Sequence, residues 1–188
     1  MSVPSDGYPL QLRDEFFALF VSCLGSPEPD VKFKKGVAAV SARTHGSWVK
    51  EAYVDDRSPR YEEALKKAAA LPKDLHRREI QIARILFNEG LFFDCHEYLE
   101  PLWKETSGRI KRSLQGLIQA GAGFHKLELG SNEGCSRLLQ DAADKLYDAE
   151  GPGLQAFAEA LEEASGKASR GELTLEQAPR LASDGLDL

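Results

Sequence analysis

One pattern recurs in this chain forty residues apart: Phe87-x-x-Gly90-x-x-x-x-Cys95-x-x-x-Leu99 returns as Leu127-x-x-Gly130-x-x-x-x-Cys135-x-x-x-Leu139. Each copy reads as a helix, a tight turn and a second helix. The glycine supplies a left-handed turn at the first helix's end, and the cysteine is a small residue where two antiparallel helices approach. Two such units favour stacking of hairpins over a long solenoid array. The expected fold is therefore all-α, a compact antiparallel bundle of stacked helix hairpins, with a less defined N-terminal extension.

The remaining segments are read around that core. Leu12, Phe16, Leu19, Phe20 and Cys23 recur at helical spacing, so a helix is expected over Leu10–Leu24 until Gly25-Ser26-Pro27-Glu28-Pro29 stops it. From Val31 to Asp56 no period dominates; Val37-Ala38-Ala39-Val40 suits a strand or a buried helical turn equally. Ser58-Pro59 reads as an N-cap and first helical residue before an Ala- and Lys-rich helix to Leu71. Further helices are expected up to Asn88, from Leu91 to about Ser107, from Ile110 to Leu129 and up to about Glu150. Gly151-Pro152-Gly153 then breaks the chain before a short helix and a polar tail, either wrapped on the surface or disordered. This organisation gives an extension over 1–57, a core helical domain over 58–150, and a short helix with its tail over 151–188.

Size and composition agree with one sizeable core. At 188 residues, 42% hydrophobic and 29% charged, the chain has the make-up of an ordinary globular protein. Its net charge of −6 argues against a dedicated binder of nucleic acid or anionic membrane. No stretch reads as a membrane span or signal peptide. Cys23, Cys95 and Cys135 are too few and too scattered for a disulfide scaffold, so a reducing, cytoplasmic location is expected.

The chemistry, if any, centres on the helix containing His96-Glu97-Tyr98-Leu99-Glu100-Pro101-Leu102-Trp103. At 100° per residue, Trp103, His96 and Glu100 fall within about 80° of Phe92 on one side, while Glu97 and Lys104 point outward. Pro101 cannot donate to the Glu97 carbonyl, which predicts a kink or an early break after Glu100. On the next helix His125 falls at the centre of the apolar stripe, and Gly116, Gly121 and Gly123 remove bulk, at about 1 kcal/mol each relative to alanine. Such glycines imply close helix contact or space beside the helix. Lys104, Arg109, Lys111 and Arg112 surround that helix's start, where cations oppose the macrodipole and call for compensation by acidic neighbours or a bound anion.

Two readings follow. In the first, the inward polar groups form a hydrogen-bonded network inside a ligand- or protein-binding scaffold, with Trp103, Arg109, Arg112, Gln115, Gln119 and His125 as candidate contacts to an unidentified protein or small molecule. In the second, His96, Glu97 and Glu100 carry metal-dependent or acid–base hydrolysis, with His96, Glu100 and His125 as candidate ligands of a divalent metal. The His-Glu-x-x-His signature is absent, as is a second His-Glu-x-x-Glu copy. No cofactor is otherwise expected. Cys95 and His96 point about 100° apart, poor geometry for an activated thiolate.

These residues resemble a known family. Leu86-Phe87-Asn88-x-Gly90-x-Phe92-Phe93-x-x-His96-Glu97-x-Leu99-Glu100-x-x-Trp103, Leu114-Gln115-Gly116-Leu117-Ile118-Gln119 and Gly130-x-x-x-Gly134 together resemble domain of unknown function 309, over roughly residues 80 to 147. The resemblance implies a mainly helical fold with His96, Glu97, Glu100, Trp103, Gln115 and Gln119 gathered near its centre, and no established activity. Cys135 stands where the family usually has alanine, Gly121 and Gly123 interrupt a usually alanine-rich run, and Ser131 replaces a frequent asparagine. Residues 1 to 70 lie outside the resemblance.

Overall fold

The computed structural model describes residues 9–149 and 152–183, so residues 1–8 of the extension, Glu150, Gly151 of the expected Gly151-Pro152-Gly153 breaker and the last residues of the tail lie outside the described residues. Within them are eight α-helices, one short 3-10 turn and no strand. No described helix is long and apolar enough to cross a membrane. The chain forms two compact units, Met1–Leu75 and His76–Leu188.

The first unit holds α1 (Leu10–Leu24), α2 (Pro29–Thr44) and α3 (Trp48–Ala69). Its core is aromatic: Tyr61 stacks on Phe16 with ring centroids 5.4 Å apart, and Phe33 and Tyr53 meet Phe16 edge-on. The ambiguous Val37–Val40 run is helical, within α2. Ser58-Pro59, expected to start a helix, lies inside α3, so the anticipated boundary between 57 and 58 falls within one continuous helix. The Ser58 hydroxyl donates to the Val54 carbonyl at 2.7 Å, the i−4 back-bonding common for a serine inside a helix.

The second unit contains α4 (Arg78–Asn88), α5 (Phe92–Glu105), α6 (Gly108–Glu128), α7 (Asn132–Leu146), α8 (Pro152–Ser169) and the 3-10 turn Leu175–Gln177. Consecutive helices from α4 to α8 pack on one another. The repeated glycines act as their spacing requires. Gly90 and Gly130 have φ of 72° and 78°, and each α4 or α6 end closes by the same pair of bonds. The Leu91 amide donates to the Leu86 carbonyl and Gly90 to Phe87, as Ser131 does to Lys126 and Gly130 to Leu127. Cys95 and Cys135 are both buried in the helices that follow. Ser131 caps α7 by accepting from the Gly134 amide, so replacing asparagine there keeps capping chemistry.

Phe87 sits at the centre of this unit's core. Its ring meets Phe92, Phe124 and Phe157 edge-on at 5.2, 5.7 and 5.4 Å, joining α4 to α5, α6 and α8. α8 is longer than a short amphipathic helix and buries Leu154, Phe157, Leu161 and Ala168. The tail returns to α4: the Asn88 side-chain amide donates to the Leu181 carbonyl at 2.8 Å and accepts from the Leu181 amide at 2.9 Å. Leu173 and Leu181 are buried, so this part of the tail is packed despite its polar composition.

Candidate functional site

The site is set by how closely α5 and α6 approach. A Cβ on Gly121 would lie 2.8 Å from the Phe92 carbonyl oxygen and 3.4 Å from the His96 amide nitrogen. The backbones therefore meet where even alanine does not fit, and the helix glycines serve close contact. Sixteen angstroms or so of register follow from a second fix: Lys111 Nζ stands 4.5 Å from the centre of the Trp103 ring. Gly121 beside Phe92 and His96, with Lys111 beside Trp103, defines an antiparallel pair. It places Gln119 level with the His96 end of α5 and Gln115 level with Glu100. The helix pair meets along a seam, and His96, Glu97, Glu100 and Trp103 on α5 and Gln115 and Gln119 on α6 are each half-buried.

Pro101 does not break α5, which continues to Glu105. His96 is held between carboxylates, Nδ1 at 3.3 Å from Glu97 Oε1 and Nε2 at 3.3 Å from Glu100 Oε1. Glu100 also accepts from Lys104 at 2.8 Å, a hydrogen bond that lowers its carboxyl below the usual carboxylate range, with the lysine's charge and His96 adding to the effect. Trp103 Nε1 and Gln119 Oε1 are both inaccessible to solvent, and neither has a hydrogen-bond partner. The two orphaned groups stand on different helices, Trp103 near the end of α5 and Gln119 midway along α6.

The other predicted residues are placed elsewhere. His125 is buried and pairs through Nδ1 with Glu128 Oε2 at 2.9 Å, with its ring 5.2 Å from Phe93. The candidate metal set is thereby divided: His96 and Glu100 meet, whereas His125 belongs to the Glu128 pair. Among the described residues no three His, Cys, Asp or Glu side chains are grouped to hold a metal ion. Arg109 and Arg112 line a cleft toward α7, apart from Trp103, Gln115 and Gln119. The cations around the start of α6 are compensated mostly by side chains: Lys104 by Glu100, Lys111 by the Trp103 ring and Arg112 by Asp148 at 3.0 Å. Sequence reasoning missed Glu128, although His125-x-x-Glu128 has the i,i+3 spacing that joins helix side chains. It also missed Asp94, buried in the first turn of α5, where a carboxylate favours the helix dipole.

The cysteines are structural in their surroundings. Burial pushes the Cys95 thiol upward, with the Asp94 charge adding to it, and burial pushes Cys135 up to about 11. The thiolate is the reactive form, so both should resist modification. Ellman's reagent at pH 8 should leave Cys95 and Cys135 unlabelled in the folded chain and label them fully in denaturant. Rapid labelling of either in the native protein would contradict this assignment.

Consecutive helix packing makes the second unit an all-α bundle. Residues 80–138 match the model of the family described as domain of unknown function, DUF309, and the resemblance read from the motif is borne out over that segment. No curated protein and no solved structure matches the chain.

Proposed function

We propose that the second unit is a binding module whose α5–α6 seam takes an extended peptide segment. The observation that carries this reading is the pair of orphaned buried groups, the Trp103 indole N–H and the Gln119 carbonyl oxygen. More than nine-tenths of buried polar groups are satisfied in folded proteins, and each exception costs about 1–3 kcal/mol. One orphan is a donor and the other an acceptor, the complement of a peptide carbonyl and a peptide N–H. Lys111, level with Trp103, and Gln119 are eight residues apart on α6, about 12 Å along its axis. An extended chain covers that span in about four residues. The side chains above the seam, Glu100, Lys104 and Lys111, are long and able to move aside for it. Three buried, unpaired thiols fit a reducing compartment, and a cytoplasmic location belongs to the same reading.

The test uses the indole resonance of Trp103, isolated in a Trp48→Phe background, against a library of capped tetrapeptide amides. Binding peptides should shift that resonance, and Gln119→Met should weaken them at least five-fold. The same Gln119→Met change should raise unfolding stability by about 1 kcal/mol, because an apolar side chain replaces an orphaned amide. A merely structural network predicts the opposite sign. An indole resonance unmoved by every peptide, together with loss of stability in Gln119→Met, would sink the proposal.

A further inference from the structure

α6 carries a second polar cluster, in its first turns and toward α7. A Cβ on Gly116 would lie 2.7 Å from Leu146 Cγ, and one on Gly123 would lie 2.7 Å from Leu139 Cδ2. These contacts run antiparallel and bring the first turns of α6 opposite the end of α7. A cleft of about 380 Å³ opens there, lined by Arg109, Arg112, Ser113, Lys145 and Asp148. That volume is within the range of about 300–1,000 Å³ usual for small-molecule sites.

The lining has a definite chemical bias. Among its residues three are cations and one is a carboxylate. Arg112 Nη2 donates to Asp148 Oδ2 at 3.0 Å and to the Asp144 carbonyl at 3.2 Å, and Lys145 Nζ donates to the Asp141 carbonyl at 3.2 Å. Ser113 is only 3% exposed and lines this cleft. A buried hydroxyl in a helix ordinarily bonds a carbonyl or a water-filled site. Here it lines a cationic cleft near the positive end of α6.

We propose that this cleft binds a phosphate monoester. The Ser113 hydroxyl donates to one phosphate oxygen, the Arg112 guanidinium forks onto others, and Lys145 supplies further positive charge. The space beyond a phosphate group accommodates the small body esterified to it. Asp148 holds Arg112 when no anion is bound and yields the guanidinium when one arrives, so it competes with the ligand. The site is built from the first turns of α6 and the end of α7, with Arg112 about 10 Å along the α6 axis from Gln119.

Calorimetric titration of the full chain with phenyl phosphate and with inorganic phosphate, at pH 7.5 and constant ionic strength, tests this directly. Saturable one-to-one binding is expected, with phenyl phosphate the tighter ligand. Asp148→Asn should tighten it at least three-fold, a gain that misfolding cannot produce. Ser113→Ala and Arg112→Gln should weaken it at least ten-fold, while Trp103→Phe leaves it unchanged. Absence of saturable binding overturns the site, and wild-type affinity in both Asp148→Asn and Ser113→Ala does so equally. Phenyl phosphate binding no tighter than inorganic phosphate overturns its assignment to a monoester.

Discussion

Phe87→Ala is expected to remove about 3–5 kcal/mol from the second unit, the range for deleting a buried aromatic side chain. Total stabilities of about 5–15 kcal/mol leave little margin for such a loss. The size follows from position: Phe87 is 2% exposed and its ring touches three others from three different helices. Truncation would open a cavity that Phe92, Phe124 and Phe157 cannot close together without moving their helices. Phe87→Leu keeps most of the volume and should cost less than about 1.5 kcal/mol. Urea unfolding followed by Trp103 fluorescence, in a Trp48→Phe background, reads this unit alone. Equal losses in the alanine and leucine variants would refute the cavity explanation.

Gly121→Val should cost about 2–3 kcal/mol by the same measurement, although glycine itself is a poor helix former. The added Cβ would stand 2.8 Å from a backbone oxygen of α5, which cannot rotate aside as a side chain would. Relief requires the two helices to separate, and the seam separates with them. Gly166→Ala is the matched contrast. Its Cβ would meet nothing nearer than the flexible end of Arg170 at 3.5 Å, so alanine should stabilise α8 by about 0.5–1 kcal/mol. Two glycine replacements of opposite sign would separate glycine needed for packing from glycine merely tolerated. A neutral Gly121→Val would show that α5 and α6 have room to spare.

The hairpin core was legible because its signals are local. A positive-φ glycine and a small buried residue at fixed spacing announce a turn and a close helix contact, and the 3.6-residue period places His96, Glu100 and Trp103 on one side of α5. The N-terminal unit was harder to read because its breakers do not break. Gly36 lies inside α2, where a Cβ would meet Leu19 side-chain atoms at 2.5 Å, and Pro59 lies inside α3. Tertiary contact decides Gly36, and a window of sequence contains only one partner of that contact, whereas Pro59 is exposed and sits within α3 without ending it. The site divides along the same line. Helical phase correctly turned His125 inward, but phase alone could not say that Glu128 would take it away from His96. Nor could it say that Arg109 and Arg112 would line a cleft toward α7. Knowing which neighbour each face receives requires the register of α5 and α7.

The bonds between Asn88 and Leu181 bear on the order in which the second unit assembles. The α4–α5 and α6–α7 hairpins close over short turns, so their contacts form with little loss of chain entropy. Asn88 and Leu181 are 93 residues apart, and their pairing is worth its entropy only once the helices between them have condensed. Folding should therefore proceed from the two hairpins outward, with the tail docking last. The motif helices would then be in place before the tail docks against α4.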